Sequence, residues 1–130
     1  MVPLSRYATV GGIPLEQLLP PEKIEQLVAR TRNAGGEIVA LLKTGSAFYS
    51  PSASAVQMAE AILKDKKRIL PCCAYLEGEY GLSDIYFGVP VKLGSGGIEQ
   101  VFEVSLTEAE QELVNQSGKA VKESIVSLKI

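Results

Sequence analysis

The chain has 130 residues, of which 46% are hydrophobic and 22% are charged, and its formal net charge is -2. This length and composition are typical of one folded domain and exclude an intrinsically disordered chain. The charge provides no basic field for a nucleic-acid backbone. No apolar run is long enough to span a bilayer, and no signal peptide is recognisable. These features predict a cytoplasmic protein without nucleic-acid or membrane partners.

The first third of the chain reads as an entry segment followed by helices. Residues 1–13 contain β-branched residues and the pair Gly11-Gly12, which predicts an extended stretch running into a turn. Apolar residues recur at helical spacing after Pro20-Pro21, and this helix is expected to end near Asn33-Ala-Gly-Gly36. Residues 37–43 predict a second, short helix.

A break in the helical periodicity follows at Gly45 and Pro51. From Ser52 a third helix is predicted, with an apolar face made by Ala55, Met58, Ala59 and Ile62. It is expected to end in the charged run at residues 64–68. We interpret this basic cluster as a solvated helix end, because cations are favoured at helix C-termini.

The second half of the chain predicts a sheet and a long helix. Residues 69–76, 85–91 and 98–104 are rich in β-branched and aromatic residues, which indicates a three-stranded antiparallel meander. The glycine cluster Gly94-Ser-Gly-Gly97 joins two strands, so it predicts a hairpin turn and not a phosphate-binding loop. Thr107-Glu-Ala-Glu110 has the form of a capping box and predicts a long C-terminal helix. Its expected apolar stripe, lying across the sheet, is Leu106, Ala109, Leu113, Ala120, Val121, Ile125 and Leu128.

The predicted fold class is therefore α+β: a three-stranded antiparallel meander packed with several helices, forming a single domain over residues 1–130. Cys72 and Cys73 are adjacent within the first strand, where neighbouring side chains point to opposite faces. A disulfide between them would be badly strained. We interpret them as two small buried thiols, because a metal or redox pair would need further ligands or a spacer.

The chain contains no histidine. Imidazole is the side chain that most readily changes protonation near neutral pH, so the commonest general base is missing. Ser50, Ser52 and Ser54 have no recognisable activating partner, and helix capping explains them better than nucleophilic catalysis does. The sequence predicts no catalytic residue and no metal site.

Four strings, in this order, carry a resemblance to a known family: Met1-Val-Pro-Leu-Ser-Arg-Tyr7, Leu42-Lys-Thr-Gly-Ser-Ala-Phe-Tyr-Ser-Pro51, Arg68-Ile-Leu-Pro71 and Asp84-Ile-Tyr-Phe-Gly-Val-Pro-Val-Lys-Leu-Gly94. Together they resemble the C-terminal, substrate-side domain of the lactate/malate dehydrogenase family, and of its malate dehydrogenases in particular. The resemblance extends through nearly all 130 residues. It implies a lactate/malate dehydrogenase C-terminal-domain-like fold.

The resemblance also implies what lies elsewhere in the family. The catalytic histidine belongs to a Gly-Gly-His-Gly-Asp segment just before the residues that match Met1, and the dinucleotide loop and carboxylate-binding arginines lie further upstream. NAD is the implied cofactor of the full-length enzyme, and tight binding to this chain alone is not expected. By resemblance, Ser46 and Ala47 are substrate-binding positions and Pro51 approaches the nicotinamide ring. Ala47 occupies a position that is threonine in typical lactate dehydrogenases, which favours a four-carbon dicarboxylate.

Three functional hypotheses remain open. In the first, the chain shapes the substrate side and carries subunit contacts of an NAD-dependent malate dehydrogenase, and is inactive without its nucleotide-binding half. Its implied partners are that N-terminal domain, a second subunit, and malate or oxaloacetate. In the second hypothesis, the chain is a non-catalytic assembly or folding module derived from the family. A lactate dehydrogenase domain is the third and is disfavoured by Ala47.

Overall fold

A computed structural model describes residues 1–128 and has the predicted α+β class, with a three-stranded antiparallel sheet and a long C-terminal helix. The chain divides into two compact units, Met1–Ser50 and the part from Pro51 onward. No helix within the described residues is long and apolar enough to cross a membrane.

The first unit consists of a small hairpin and a long helix. A 3₁₀ turn at Ser5–Tyr7 leads into strands β1 (Thr9–Val10) and β2 (Ile13–Pro14), which pair antiparallel. Gly11 and Gly12 connect these strands with φ angles of 58° and 86°, a conformation that glycine adopts without strain. The extended stretch and turn predicted for residues 1–13 are thus present. A single helical turn, α1 (Leu15–Leu18), follows.

Helix α2 (Pro21–Leu42) is continuous, so the predicted division into two helices at Asn33-Ala-Gly-Gly36 is wrong. The helix begins with Pro21 in its first turn, as predicted. The guanidinium of Arg30 donates to both carboxylate oxygens of Glu37, with N–O distances of 2.9 and 3.1 Å. This pair joins the turns before and after the glycines. Glycine weakens a helix interior only by about 1 kcal/mol, and here the helix runs through it.

The second unit contains the remaining helices and the main sheet. Helix α3 (Tyr49–Leu63) begins three residues earlier than predicted, with Pro51 inside its first turn. Strands β3 (Arg68–Glu77), β4 (Ser83–Gly94) and β5 (Gly97–Val101) form the antiparallel meander in the order β3-β4-β5. The third strand of the meander was predicted to extend to Val104, but β5 ends at Val101. The segment from Gly94 to Gly97 is a hairpin turn, as predicted.

One face of the sheet forms the core. Alternate residues of β3 and β4 point inward, since strand side chains have a period of two. The buried residues of the sheet are Cys72, Ala74, Leu76, Ile85, Val89, Val91 and Leu93. In α3 only Ala61 is fully buried, while Met58 and Ile62 are half-buried, and the predicted members Ala55 and Ala59 are exposed.

The two cysteines differ, which corrects the prediction of two buried thiols. Cys72 is in the core, and its burial raises the pKa of its thiol. Cys73 is exposed on the opposite face of the sheet. The alternation along β3 separates them, because within the described chain only the face that carries Cys72 is covered.

Helix α4 (Glu108–Ser127) has the predicted capping box. The Thr107 hydroxyl accepts from the Glu110 N–H at 3.2 Å, and the Glu110 carboxylate accepts from the Thr107 N–H at 2.8 Å. Of the predicted apolar stripe, however, only Leu106 and Val121 are half-buried, so most of the stripe is out of phase. Leu113, Ile125 and Leu128 are exposed, whereas Val114 and Gly118 are the buried residues.

The packing of Gly118 explains which face of α4 is buried. A Cβ at this position would lie 2.7 Å from the Leu82 Cδ2 atom, so the missing side chain is what allows α4 to approach Leu82 so closely. The helix therefore packs through its smallest residue, and the bulkier Leu113 points away.

Tyr80 connects the β3–β4 turn to the segment before α4. It is buried, and its hydroxyl donates to the Phe102 carbonyl at 2.7 Å and accepts from the Val104 N–H at 2.9 Å. The Tyr80 carbonyl accepts from the Gln111 amide at 3.0 Å. The Tyr80 side chain thus provides hydrogen-bond partners for two backbone groups that lie outside the strand pairing.

The basic cluster after α3 is neutralised by carboxylates. Glu60 accepts from Lys64 at 2.6 Å and from Lys66 at 2.9 Å, and these contacts lower its pKa from its usual 4.5 to about 2. The backbone N–H of Ser95 and the Lys67 ammonium lower the Asp65 pKa from 3.8 to about 2. Lys67 also binds Glu99. These interactions agree with the interpretation of this run as a solvated helix end and not an anion site.

Replacing Tyr80 by phenylalanine is expected to lower the free energy of unfolding by about 1–3 kcal/mol, because the part-buried Phe102 carbonyl and Val104 N–H lose their partner. Chemical denaturation followed by circular dichroism measures the change. Tyr86→Phe is the matched control, since Tyr86 is 64% exposed. Equal stability of the Tyr80→Phe and Tyr86→Phe proteins would contradict the role of Tyr80.

Glu60→Gln is expected to lower the melting temperature at pH 7 and to lose this effect in acid. A carboxylate whose folded pKa lies below its unfolded value stabilises the fold above the unfolded value, and this contribution disappears as the pH falls through the folded pKa. The difference from the parent protein should therefore shrink between pH 4.5 and about 2. Glu112→Gln, at an exposed position of α4, is the control. A pH-independent difference would mean that the Lys64 and Lys66 contacts are not its cause.

Candidate functional site

The segment between α2 and α3 holds two of the predicted site residues, Ser46 and Ala47, and is tightly folded. Lys43 ends α2 with a φ of 60°, and its N–H donates to the Val39 carbonyl at 3.0 Å. The Thr44 N–H donates to the Leu42 carbonyl at 2.6 Å, and the Phe48 N–H donates to the Ser46 carbonyl at 2.9 Å. Bonds that span only two residues are characteristic of γ-turns. The segment is thus bent at both ends by its own backbone.

Ser46 and Ala47 lie at the second of these bends. Ser46 is exposed and Ala47 is half-buried. Gly45, just before them, has a φ of 114°, which L side chains rarely adopt. A Cβ at Gly45 would meet nothing within 4 Å, so the backbone conformation and not crowding requires glycine here. The bend presents one hydroxyl, one methyl group and free backbone surface.

Phe48 and Tyr49 follow directly, and their rings stack with centroids 4.6 Å apart. Both side chains are more than half exposed. The stacked pair thus adds an exposed apolar area to the surface of the first unit.

Pro51 begins the second unit and is exposed in the first turn of α3. Proline is well tolerated there because the N–H groups of a first helical turn have no intrahelical acceptor. Proline has neither an N–H nor a polar side-chain atom. Pro51 could therefore offer a ligand only its carbonyl oxygen and van der Waals contact with its ring.

The described residues bring together no acid–base or metal centre. The sequence has no histidine, and no group of three or more cysteine, aspartate or glutamate residues within residues 1–128 is arranged to hold a metal ion. The strongly lowered carboxylate pKa values belong to Glu60 and Asp65, whose partners are lysines and backbone at the exposed end of α3. The segment can therefore contact a ligand, but residues 43–51 include no histidine and no carboxylate.

One feature that the sequence did not single out is an aromatic and acidic cluster on the outer face of the main sheet. The Tyr75 hydroxyl donates to the Asp84 carboxylate at 3.0 Å, and the Tyr75 and Tyr86 rings lie 5.3 Å apart. The Asp84 carboxylate, as hydrogen-bond partner and as charge, raises the Tyr75 pKa. The period-two alternation of β3 and β4 was the available signal, because it assigns Tyr75 and Tyr86 to the same face.

Comparison with known proteins identifies the family. The profile of the lactate/malate dehydrogenase alpha/beta C-terminal domain matches residues 1–129. A malate dehydrogenase of Roseiflexus castenholzii is 59% identical over 129 residues, which are 99% of this chain and 42% of that protein. A malate dehydrogenase of Methanosarcina mazei is 55% identical over the whole chain, again 42% of its own length.

Solved structures give the same result. The malate dehydrogenase of Salinibacter ruber superposes with a TM-score of 0.95 at 55% identity, covering 98% of this chain and 42% of that one. A lactate dehydrogenase of Eimeria maxima, solved with NADH and oxamate, superposes with a TM-score of 0.89 at 40% identity over 98% of this chain. The 130 residues thus span about two-fifths of the length of these relatives. The chain belongs to the lactate/malate dehydrogenase family and corresponds to its C-terminal domain.

Proposed function

We propose that this chain is the substrate-side and subunit-contact domain of an NAD-dependent malate dehydrogenase, which interconverts malate and oxaloacetate. The observation that carries the proposal is the match over residues 1–129 together with 55–60% identity to proteins named malate dehydrogenase. We further propose that residues 1–130 work as one domain of a cytoplasmic enzyme.

The division of labour follows from the residues that the chain contains. Oxidation of a 2-hydroxy acid requires a base for the hydroxyl proton and an acceptor for the hydride. NAD, when bound, supplies the hydride acceptor. This chain contains no histidine, and its glycine-rich segment is a hairpin turn that offers no cradle at a helix N-terminus for a pyrophosphate. Proton transfer and dinucleotide binding are therefore tasks of the nucleotide-binding half.

We propose that Ser46 and Ala47 are substrate-binding positions and that Pro51 is a position that approaches the nicotinamide ring. Ala47 is half-buried at a backbone bend, and its methyl group leaves more volume than a threonine would. The additional room suits a second carboxylate group on the substrate, which favours malate over lactate. The fold alone does not distinguish malate from lactate as the substrate, because lactate dehydrogenases have similar structures.

The surface of the first unit supports two partners, the nucleotide-binding half and a second subunit. Within residues 1–50, all of which the structure describes, no residue is buried. This many exposed large apolar side chains are uncommon on a monomer and favour an interface. The exposed large apolar side chains are Met1, Tyr7, Val10, Ile13, Leu18, Leu27, Ile38, Val39, Leu41, Leu42, Phe48 and Tyr49.

The alternative is a non-catalytic assembly module that uses the same surface only for contacts. The absence of histidine favours it, since nothing in these residues requires a reaction. The two functions differ in one observable: only the first predicts that a nucleotide-binding half restores malate oxidation.

The purified 130-residue chain is expected to show no NAD-dependent oxidation of malate. A general base alone contributes about 10²–10⁴-fold, and here the positioning of cofactor and substrate is missing as well. Reduction of NAD at 340 nm measures the activity. Turnover above that of a heat-treated sample, in a preparation free of host malate dehydrogenase, would contradict the proposed division of labour.

A separately expressed nucleotide-binding half that includes the histidine segment is expected to restore part of the activity, and Ala47→Arg should abolish the restored activity. Arginine would fill the substrate volume and place a charge without a partner beside it. Ala120→Arg, at an exposed position of α4, is the matched control and should leave the activity unchanged. Normal restored activity with the Ala47→Arg protein would show that this residue does not line the substrate pocket. If neither the parent chain nor any variant restored activity, the assembly module would be favoured.

A further inference from the structure

Helix α2 ends in a backbone conformation that residues with side chains rarely adopt. Lys43 has a φ of 60° and a ψ of -49°, and across it the Leu42 carbonyl accepts from the Thr44 N–H at 2.6 Å. These features are those of the γ-turn with a positive φ, which is rare and strained. The usual left-handed helix end has a positive ψ, so Lys43 does not form the ordinary C-terminal cap.

The backbone alone does not explain a lysine at this position. Glycine adopts a positive φ without a steric penalty, and the same segment has glycine at Gly45, where φ is 114°. A lysine at position 43 keeps a penalty that glycine would remove. Strained residues persist where the surrounding structure holds them, and they cluster at functional sites. The strain therefore points to a role for the Lys43 side chain.

A favourable interaction with the helix dipole does not require this position either. Cations are favoured near a helix C-terminus, but the last turn of α2 contains no basic residue. A lysine within that turn would interact with the same dipole while keeping helical backbone angles. The dipole thus favours a cation near the end of α2, but it does not explain why the cation is at the strained residue.

The Lys43 ammonium has no partner within residues 1–128. Lys43 is exposed, and its side chain makes no hydrogen bond or ion pair with the described residues. By contrast, Lys64 and Lys66, which follow α3, both bind Glu60. The Lys43 charge is therefore not neutralised by the part of the chain that the structure describes.

Lys43 is also close to the proposed substrate-binding positions. It is the only charged residue in the segment 43–51. Ser46 lies three residues further along, a separation of at most about 11 Å even in a fully extended chain, and the γ-turns shorten it. The Debye length at physiological ionic strength is about 8 Å. The ammonium, on its flexible stem, can thus attract an anion at the bend formed by Ser46 and Ala47.

We propose that the Lys43 ammonium attracts a dicarboxylate substrate to the Ser46–Ala47 bend and favours it over a 2-hydroxy acid with a single carboxylate. This inference rests on the proposed function, because malate and oxaloacetate each carry two carboxylates whereas lactate carries one. Electrostatic attraction is proportional to the charge of the ligand. Lys43 therefore contributes to substrate choice through charge, whereas Ala47 contributes through volume.

The test is the malate oxidation restored by a separately expressed nucleotide-binding half, measured at low and at high ionic strength. Lys43→Gln should lower kcat/KM for malate roughly threefold or more at low salt, mainly through a higher KM, because the attraction acts on substrate encounter and binding. Lys43→Glu should lower it further, and Lys43→Arg should retain most of it. These differences should shrink at about 1 M salt, where the Debye length is about 3 Å.

Two further substitutions separate charge from structure. Lys23→Glu is the matched control, since Lys23 is exposed on the same helix and 20 helical residues place it about 30 Å from Lys43. It should leave kcat/KM unchanged. Lys43→Gly relieves the positive φ, so its melting temperature should not fall below that of the parent protein. It should nevertheless lose as much kcat/KM as Lys43→Gln does, which a purely structural role of Lys43 does not predict.

The outcomes distinguish this inference from the proposed function. Equal kcat/KM for Lys43→Glu and Lys23→Glu at low salt, with normal activity of the parent chain, would overturn the inference and leave the proposed function intact. A loss in Lys43→Gln that persists at about 1 M salt would also overturn it, because screening removes an electrostatic effect. Failure of the parent chain to restore any activity would overturn the proposed function, and this inference with it.

Discussion

A slip of one residue between β3 and β4 would move Cys72, Ala74 and Leu76 from the core to the surface and bring Cys73 and Tyr75 inside. Register is strongly specified wherever one face of a sheet is buried. The long hairpin β3–β4 therefore determines both the core of the second unit and the composition of its outer face. The close approach of α4 at Gly118 depends on the same register, because Leu82 precedes β4 directly.

Two irregularities adapt this hairpin to its surroundings. The register shifts at Leu76–Glu77, where Asp84 adopts a φ of 60°, and again at Lys92–Leu93. Bulges re-aim side chains at the ends of sheets. The first accompanies the Asp84 contact with Tyr75, and the second accompanies Glu99, which binds Lys67. Tyr80 then holds the segment after β5 through its hydroxyl group.

The two units differ in how their stability arises. The second has a buried apolar face and a polar clamp within its own residues, whereas the first has no buried residue. A helix as long as α2 gains most of its stability in proteins from packing of an apolar face. The apolar side chains of the first unit are thus not buried by the described residues, and the chain spans about two-fifths of its relatives' length.

Much of the fold could be predicted from local patterns. Alternation and turn residues identified the meander, and Thr107 and Glu110 identified the start of α4, since these signals act between residues close in sequence. The absence of histidine, and with it the absence of the commonest general base, was also evident from the sequence. The roles of Ser46, Ala47 and Pro51 remain predictions, since they follow from the family resemblance and not from contacts among residues 1–128.

Other features were decided only by tertiary structure. Helix α2 continues through Gly35 and Gly36, with Arg30 and Glu37 paired across them, and no propensity predicts such a pair. The phase of α4 depends on the fit of Gly118 against Leu82, where the absence of a side chain matters more than hydrophobicity. The exposure of Cys73 and the pairing of Tyr75 with Tyr86 on the outer face follow from the register between two strands. The sequence by itself determined the strands of the meander and the start of α4, because those signals are local, whereas the length of α2 and the faces and partners of the elements depend on contacts that only the folded chain makes.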